Sequence, residues 1–141
     1  MFTFKFIEWR IWIMTILSKV ESETQAAMSH MLLRGLCMLI IEYDCARLIQ
    51  EATGQQMIRG NFVLASLYFL GFLMSFVNRK AGFVIGIVAG SFNVIIKIVI
   101  VATGHEHFPY YPIVWITQSL MVIYFCYKAF KAEQALVYAK N

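Results

Sequence analysis

The chain has 141 residues, of which 60% are hydrophobic and only 14% are charged, and its mean hydropathy is +0.68. Soluble domains have about 45–50% apolar residues and about a quarter charged residues, so this composition excludes an ordinary soluble domain. It predicts an integral membrane protein with a single membrane domain over residues 1–141 and the lipid bilayer as its first partner. The formal net charge of +4 is small and its residues are scattered, which argues against a nucleic-acid partner.

The chain begins with an apolar segment, residues 2–19, that is interrupted by charges. Its uninterrupted apolar run is too short to cross a bilayer, and Lys5, Glu8 and Lys19 fall near one helical face. This pattern predicts an amphipathic helix that lies in the membrane interface. A signal peptide is the rival interpretation, and the early charges and the acidic residues that follow disfavour it.

Four later segments predict transmembrane helices. They cover residues 26–49, 61–78, 82–103 and 112–130. Each is close to the ~20 residues that cross ~30 Å of hydrocarbon, although charged residues interrupt the first one. We therefore expect an all-α integral membrane protein, a four-transmembrane-helix bundle with an N-terminal amphipathic interfacial helix, in which short loops make successive helices antiparallel neighbours.

The distribution of basic residues predicts the orientation of these spans. Arg79 and Lys80 lie between the second and third spans, and further lysines and arginines lie before the first span and after the last. With four spans, all of these fall on one side, and the loop between the third and fourth spans contains no Lys or Arg. The positive-inside rule then places both termini in the cytoplasm.

Lys97 lies well inside the third span and needs a partner there. At ~1.5 Å per residue it lies about 22 Å across the membrane, and Glu42 on the first span lies about 24 Å across. An unpaired ammonium in hydrocarbon costs ~2.5–3.5 kcal/mol on insertion scales, so we expect Lys97 to pair with Glu42, with Asp44 as the substitute partner. The alternative is that Lys97 reaches along lipid to the outer interface.

Other polar residues fall at a similar depth and extend this pair into a network in the outer third of the bundle. The predicted buried polar network consists of Glu42, Asp44, Ser66, Asn93, Lys97 and Gln118. Three glycines share a helical face with Asn93 and Lys97, namely Gly82, Gly86 and Gly90. Small residues at this spacing allow close helix packing, either within the bundle or against another subunit.

Two further groups of residues each allow two interpretations. His30 and Arg34 lie one turn apart in the cytoplasmic half of the first span, where they reach the inner headgroups or bind an anionic lipid or a cofactor. Tyr124, Asn93 or a lipid phosphate is a candidate partner for Arg34 at this depth. His105, Glu106 and His107 lie in the outer loop, as part of an aromatic membrane belt or as ligands of copper or zinc.

The histidines and cysteines argue against two further features. His30 lies near the opposite surface from the loop histidines, so a haem held by two histidines is not expected. The three cysteines are odd in number and imply no disulfide framework.

Size, the glycine stripe and the lack of recognised catalytic motifs predict a subunit or scaffold of a membrane complex, assembled with itself or with larger membrane partners. The polar network supports an alternative, a small transporter or channel for protons, ions or a small polar solute. A metal-dependent membrane enzyme is the weaker alternative.

Overall fold

The structure, a computed structural model, describes residues 2–54, 57–103 and 111–141. In these ranges the regular secondary structure is α-helix only, which confirms the all-α prediction. The helices are α1 (Phe2–Ile40), α2 (Glu42–Thr53), α3 (Met57–Val77), α4 (Arg79–Ala102) and α5 (Tyr111–Lys140).

Within the described residues, three helices are long and apolar enough to cross a membrane. The qualifying segments are Ile58–Val77, Arg79–Ala102 and Ile113–Lys140, which correspond to the second, third and fourth predicted spans. Helix α1 does not qualify, because charged and polar residues dilute its apolar run. By composition the number of candidate spans is therefore three, and the expected count of four is not reached.

The N-terminal segment differs from the prediction of a separate interfacial helix. Residues 2–19 are continuous with the first predicted span in the 39-residue helix α1. The acidic stretch between them contains neither Pro nor Gly, and Glu23 pairs with Lys128 on α5 at 3.2 Å, so the helix continues through it. The first part of α1 is also not clearly amphipathic, because large apolar side chains such as Phe6 and Trp9 are exposed around the helix rather than on one face.

The first predicted span, residues 26–49, is wrong at its C-terminal end, because the helix breaks at Ile41 and resumes as α2. Asn61 on α3 donates its amide to the carbonyl oxygen of Met38 at 2.6 Å. In a continuous helix that oxygen would accept from the backbone amide of residue 42. A contact from another helix thus accompanies the break. After the break, the side chain of Glu42 is buried within the bundle.

Four of the helices form a closed ring in which each has two neighbours. Helix α1 packs on α3 and α5, and α4 packs on the same two helices, so α1 and α4 occupy opposite corners. The short helix α2 packs on α3 beside the end of α1. The core of the ring contains large buried side chains from each of the four helices, among them Met31, Met38, Tyr68, Phe83 and Val122.

The glycines of α4 lie where this helix meets its two neighbours. Gly82 faces Gly71 and Ser75 on α3, and Gly90 faces Ser119 and Ile123 on α5. Gly86 lies between them, against Met31 and Cys126. The stripe therefore lies at contacts within the chain, where a methyl group would separate the helix backbones.

Gly82→Ala should destabilise the protein by about 1–3 kcal/mol, because the added methyl group would meet the backbone of α3 and force the two helices apart. Thermal unfolding of the purified protein in detergent measures this change. Gly60→Ala is the matched control, since a Cβ atom there meets nothing within 4 Å, and it should be neutral or slightly stabilising. Equal unfolding midpoints for the two variants would contradict the close approach of α3 and α4.

Candidate functional site

A cluster of polar side chains occupies the middle of the ring, between helices α1, α3, α4 and α5 and the first residue of α2. We call it the polar centre and define it as Arg34, Glu42, Tyr68, Asn93, Lys97 and Ser119. Five of these side chains are buried, with Arg34 and Glu42 only 1% and 2% exposed. Lys97 is the exception, with 18% of its side chain exposed.

Arg34 lies on the inward face of α1 and contacts partners on three other helices. Its guanidinium forms an ion pair with Glu42, and its Nε donates to the Ser119 hydroxyl at 3.2 Å. The guanidinium carbon also lies 5.0 Å from the ring centroid of Trp115, one turn before Ser119 on α5, which is within range of a cation–π interaction. A buried guanidinium needs such partners, because burial of an unpaired charge is costly.

The amide of Asn93 faces Arg34 from the opposite corner of the ring. A guanidinium can only donate hydrogen bonds, so the amide is assigned with its oxygen towards Arg34. In this orientation Oδ1 accepts from Arg34 Nη2 at 2.8 Å, from the Ser119 hydroxyl at 3.1 Å and from the Tyr68 hydroxyl at 3.3 Å. One fully buried amide oxygen thereby joins α1, α3, α4 and α5.

Glu42 binds both cations of the polar centre. Its Oε2 accepts from Lys97 Nζ at 3.1 Å, which is the pairing that the depths of the two residues predict, and its other oxygen contacts Arg34. The break at Ile41 makes this possible, because it places Glu42 at the first position of α2 and directs it inward. The two cations share one carboxylate.

Three residues of the predicted network lie outside this cluster. Asp44 is exposed and lies 4.0 Å from Arg47 on its own helix. The exposed Ser66 donates to the carbonyl oxygen of Phe62, one turn earlier. Gln118 is half-buried, and its Nε2 lies 3.9 Å from Cys37 Sγ. Each of the three is rotated about its helix axis away from the polar centre.

His30 and Arg34 occupy different environments, so they do not act as a pair at the inner headgroups. The ring of His30 stacks on Phe125 with centroids 4.4 Å apart. Arg34 is buried among polar partners on other helices rather than exposed at headgroups. Of the partners considered from the sequence, it is Asn93 that contacts the guanidinium.

Tyr68, Ser119 and Trp115 belong to the surroundings of Arg34 and were missed by the sequence analysis. The depth estimate led to Gln118 rather than Ser119. Depth cannot distinguish these neighbours, because adjacent residues have almost the same depth but point about 100° apart around a helix. The signal that was present is the spacing of Trp115 and Ser119, which are four residues apart and share one face. The corresponding feature of α3 is that Tyr68 is its one tyrosine, within an otherwise apolar stretch.

The proposed copper or zinc site cannot be placed in the structure. His105, Glu106 and His107 lie in the segment 104–110, outside the described residues. Within the described ranges, the side chains of His, Cys, Asp and Glu form no group of three that could hold a metal ion.

Comparison with protein-family models, with curated proteins and with solved structures finds no match for this chain. The polar centre is therefore interpreted from its own geometry.

Glu42→Gln should destabilise the protein by about 3–5 kcal/mol, because it leaves the buried Arg34 and the partly exposed Lys97 without an anion. Glu51→Gln is the matched control, since Glu51 is 61% exposed and pairs with Arg47 on the surface of α2. Such a surface pair contributes about 0–1 kcal/mol. Chemical denaturation in a fixed detergent measures both variants, and a Glu42→Gln protein as stable as the control would show that the ion cluster does not hold the bundle together.

Proposed function

We propose that the protein is a small four-crossing membrane protein in which the second half of α1 is the fourth crossing. This part of α1 completes the ring formed with the three apolar helices. Its most costly residue for lipid, Arg34, is 1% exposed and paired within the bundle, so its charge does not meet acyl chains. The remaining exposed side chains on this part of α1 include Leu33, Leu36 and Ile40, which suit a lipid-facing surface.

With four crossings, the basic residues support an orientation with both termini in the cytoplasm. Arg79 and Lys80 at the start of α4 lie at the same end of the ring as Lys128 and Lys131 of α5. An excess of Lys and Arg marks the cytoplasmic end of short loops. At the other end, α2 exposes Asp44 and buries Glu42 and Ala46, as an amphipathic helix at the outer surface would do.

We propose further that the protein acts as a subunit or scaffold of a membrane complex. The observation that carries this proposal is the N-terminal arm, which we define as residues 5–17. Helix α1 has 39 residues, or about 58 Å at 1.5 Å per residue, and is longer than the ~30 Å hydrocarbon layer. It is therefore longer than one crossing requires, and its first part extends beyond the length that a crossing uses.

The arm exposes large apolar side chains in several directions around the helix. Phe6, Ile7, Trp9, Ile11, Trp12 and Met14 are each at least 52% exposed. A helix that is apolar all round is normally buried, and each large apolar side chain gains about 1.5–3 kcal/mol when it is removed from water. A contiguous surface of this kind marks a contact with another protein or with a membrane, and aromatic residues are enriched in protein interfaces.

The number of crossings can be tested with reporters at the two ends of the chain. Four crossings place the N terminus and the C terminus on the same side, and with both in the cytoplasm we expect fluorescence, and no phosphatase activity, from the fusions at each end. Three crossings would place them on opposite sides. Paired fusions of a fluorescent protein and of a secreted phosphatase at each terminus distinguish these outcomes, and a reporter difference between the termini would refute the four-crossing arrangement.

The scaffold role can be tested by placing a photo-crosslinking amino acid at Trp12 in living cells. This exposed position tolerates substitution, and we expect a discrete adduct with protein, either with a second copy of the chain or with another membrane subunit. Leu73 on α3 is the matched control, since it is 59% exposed on a helix that crosses the membrane and should yield lipid adducts. If Trp12 also yields only lipid adducts, the arm is a membrane anchor and the scaffold proposal fails.

A further inference from the structure

The polar centre carries more positive than negative charge. Arg34 and Lys97 both contact Glu42, and among the residues that the structure describes no second carboxylate contacts either cation. Asp44, which is close in sequence, is 71% exposed and faces Arg47 instead. With both cations protonated, the cluster has two positive charges and one negative charge.

An unbalanced charge of this kind is costly inside a membrane bundle. Insertion scales assign ~2.5–3.5 kcal/mol to one charged side chain at the centre of a helix, and a buried cation that loses its partner costs about 3–5 kcal/mol. The carboxylate of Glu42 offsets only one of the two cations. A second negative charge close to the cluster would therefore stabilise the folded protein.

The hydrogen-bond donors show where such a charge would bind. The donors of Arg34 are directed at Glu42, Asn93 and Ser119 inside the bundle. The ammonium of Lys97 has three N–H donors, and its hydrogen bond within the described ranges goes to Glu42. Lys97 is thus the cation with donors left for a ligand.

Lys97 is also the one member of the polar centre, as defined above, whose side chain is partly exposed. Its side chain is 18% exposed, whereas that of Glu42 beside it is 2% exposed. It lies five residues before Ala102, where α4 ends, or about 8 Å along the helix. A small ion can approach the ammonium from this end of the ring, which is the outer end in the proposed orientation.

We propose that the outer end of the polar centre is a binding site for a small free anion, such as chloride or inorganic phosphate, held by the ammonium of Lys97. The anion balances the second cation, and the charge of Arg34 beside Glu42 offsets the repulsion between that carboxylate and the anion. The inference goes beyond the scaffold role and depends on different residues, since the arm lies at the opposite end of α1.

The test uses the purified full-length protein in a neutral detergent at constant ionic strength. The buffer initially contains gluconate, a bulky anion. The thermal unfolding midpoint is then measured while chloride or phosphate replaces the gluconate stepwise. We expect a saturable increase of a few degrees in the wild-type protein, because a ligand that binds only the folded state stabilises it. The increase should be absent in Lys97→Met and present in Lys131→Met, which removes the same charge at the other end of the bundle.

Two further variants serve as controls. One covers the case in which Lys97→Met does not fold, and the other covers the case in which a carboxylate of the chain itself binds Lys97. Lys97→Arg keeps the charge and should keep the increase, so it replaces Lys97→Met as the informative variant if the latter does not fold. Glu106 follows Lys97 by nine residues in the segment outside the described ranges. If the wild-type protein shows no increase and Glu106→Gln acquires one, the anion is that carboxylate and the proposal is wrong.

Chloride-35 nuclear magnetic resonance provides an independent measurement on the unmodified protein. We expect line broadening that saturates and is reversed by phosphate. The proposal is overturned if chloride or phosphate raises the unfolding midpoint of Lys97→Met as much as that of the wild type. It is also overturned if neither midpoint changes, or if only anionic phospholipid stabilises the protein. A failure of this kind leaves the topology and crosslinking predictions unaffected, because they depend on the arm and on the number of crossings.

Discussion

The carboxylate of Glu42, held between the guanidinium of Arg34 and the ammonium of Lys97, is the interaction on which the bundle depends. The two cations come from α1 and α4, which lie at opposite corners of the ring and share few direct contacts. Between helices in lipid there is little hydrophobic driving force, so close packing and polar contacts decide which helices associate. The Glu42 carboxylate supplies a contact across the diagonal that apolar packing does not provide.

The same interaction determines whether α1 can cross a membrane at all. Hydropathy counts Arg34 and the other polar residues of α1 as if they faced lipid, and α1 is not among the helices that qualify as spans. In the structure the guanidinium is buried, and its partners lie on α2, α4 and α5. The polar partners in the assembled ring therefore offset the cost of this charge. In the proposed four-crossing arrangement, α1 would depend on the other helices for insertion more than they depend on it.

Much of the fold follows from the sequence because α3, α4 and α5 are long apolar segments. Their starts lie within about four residues of the predicted ones, although α5 continues ten residues beyond its predicted end, to Lys140, through a stretch without Pro or Gly. The break at Ile41 could not be predicted, because the hydrogen bond from Asn61 to the Met38 carbonyl joins residues from two different helices. Such a contact exists only after the helices have packed.

The polar centre was only partly predictable for a related reason. Counting residues along a helix gives depth, and depth alone brings Lys97 and Glu42 to the same level. The rotation of each helix about its axis decides which of two adjacent residues points inward, and it selects Ser119 over Gln118 on α5. Rotation follows from the packing of all four helices, and the glycine face of α4 fixes it for that helix alone.

The arrangement separates the interior of the bundle from the surface that supports a scaffold role. Most donors of the polar centre are used within the chain, and the partly exposed Lys97 lies near the end of α4, far from the arm. One continuous helix, α1, carries both the arm and Arg34. Because a helix is stiff along its axis, a change in the charge around Arg34 that moved α1 would also move the arm. Ion occupancy at one end and association at the other would then be coupled through a single rigid element, and the strength of that coupling would be set by the contacts of Arg34.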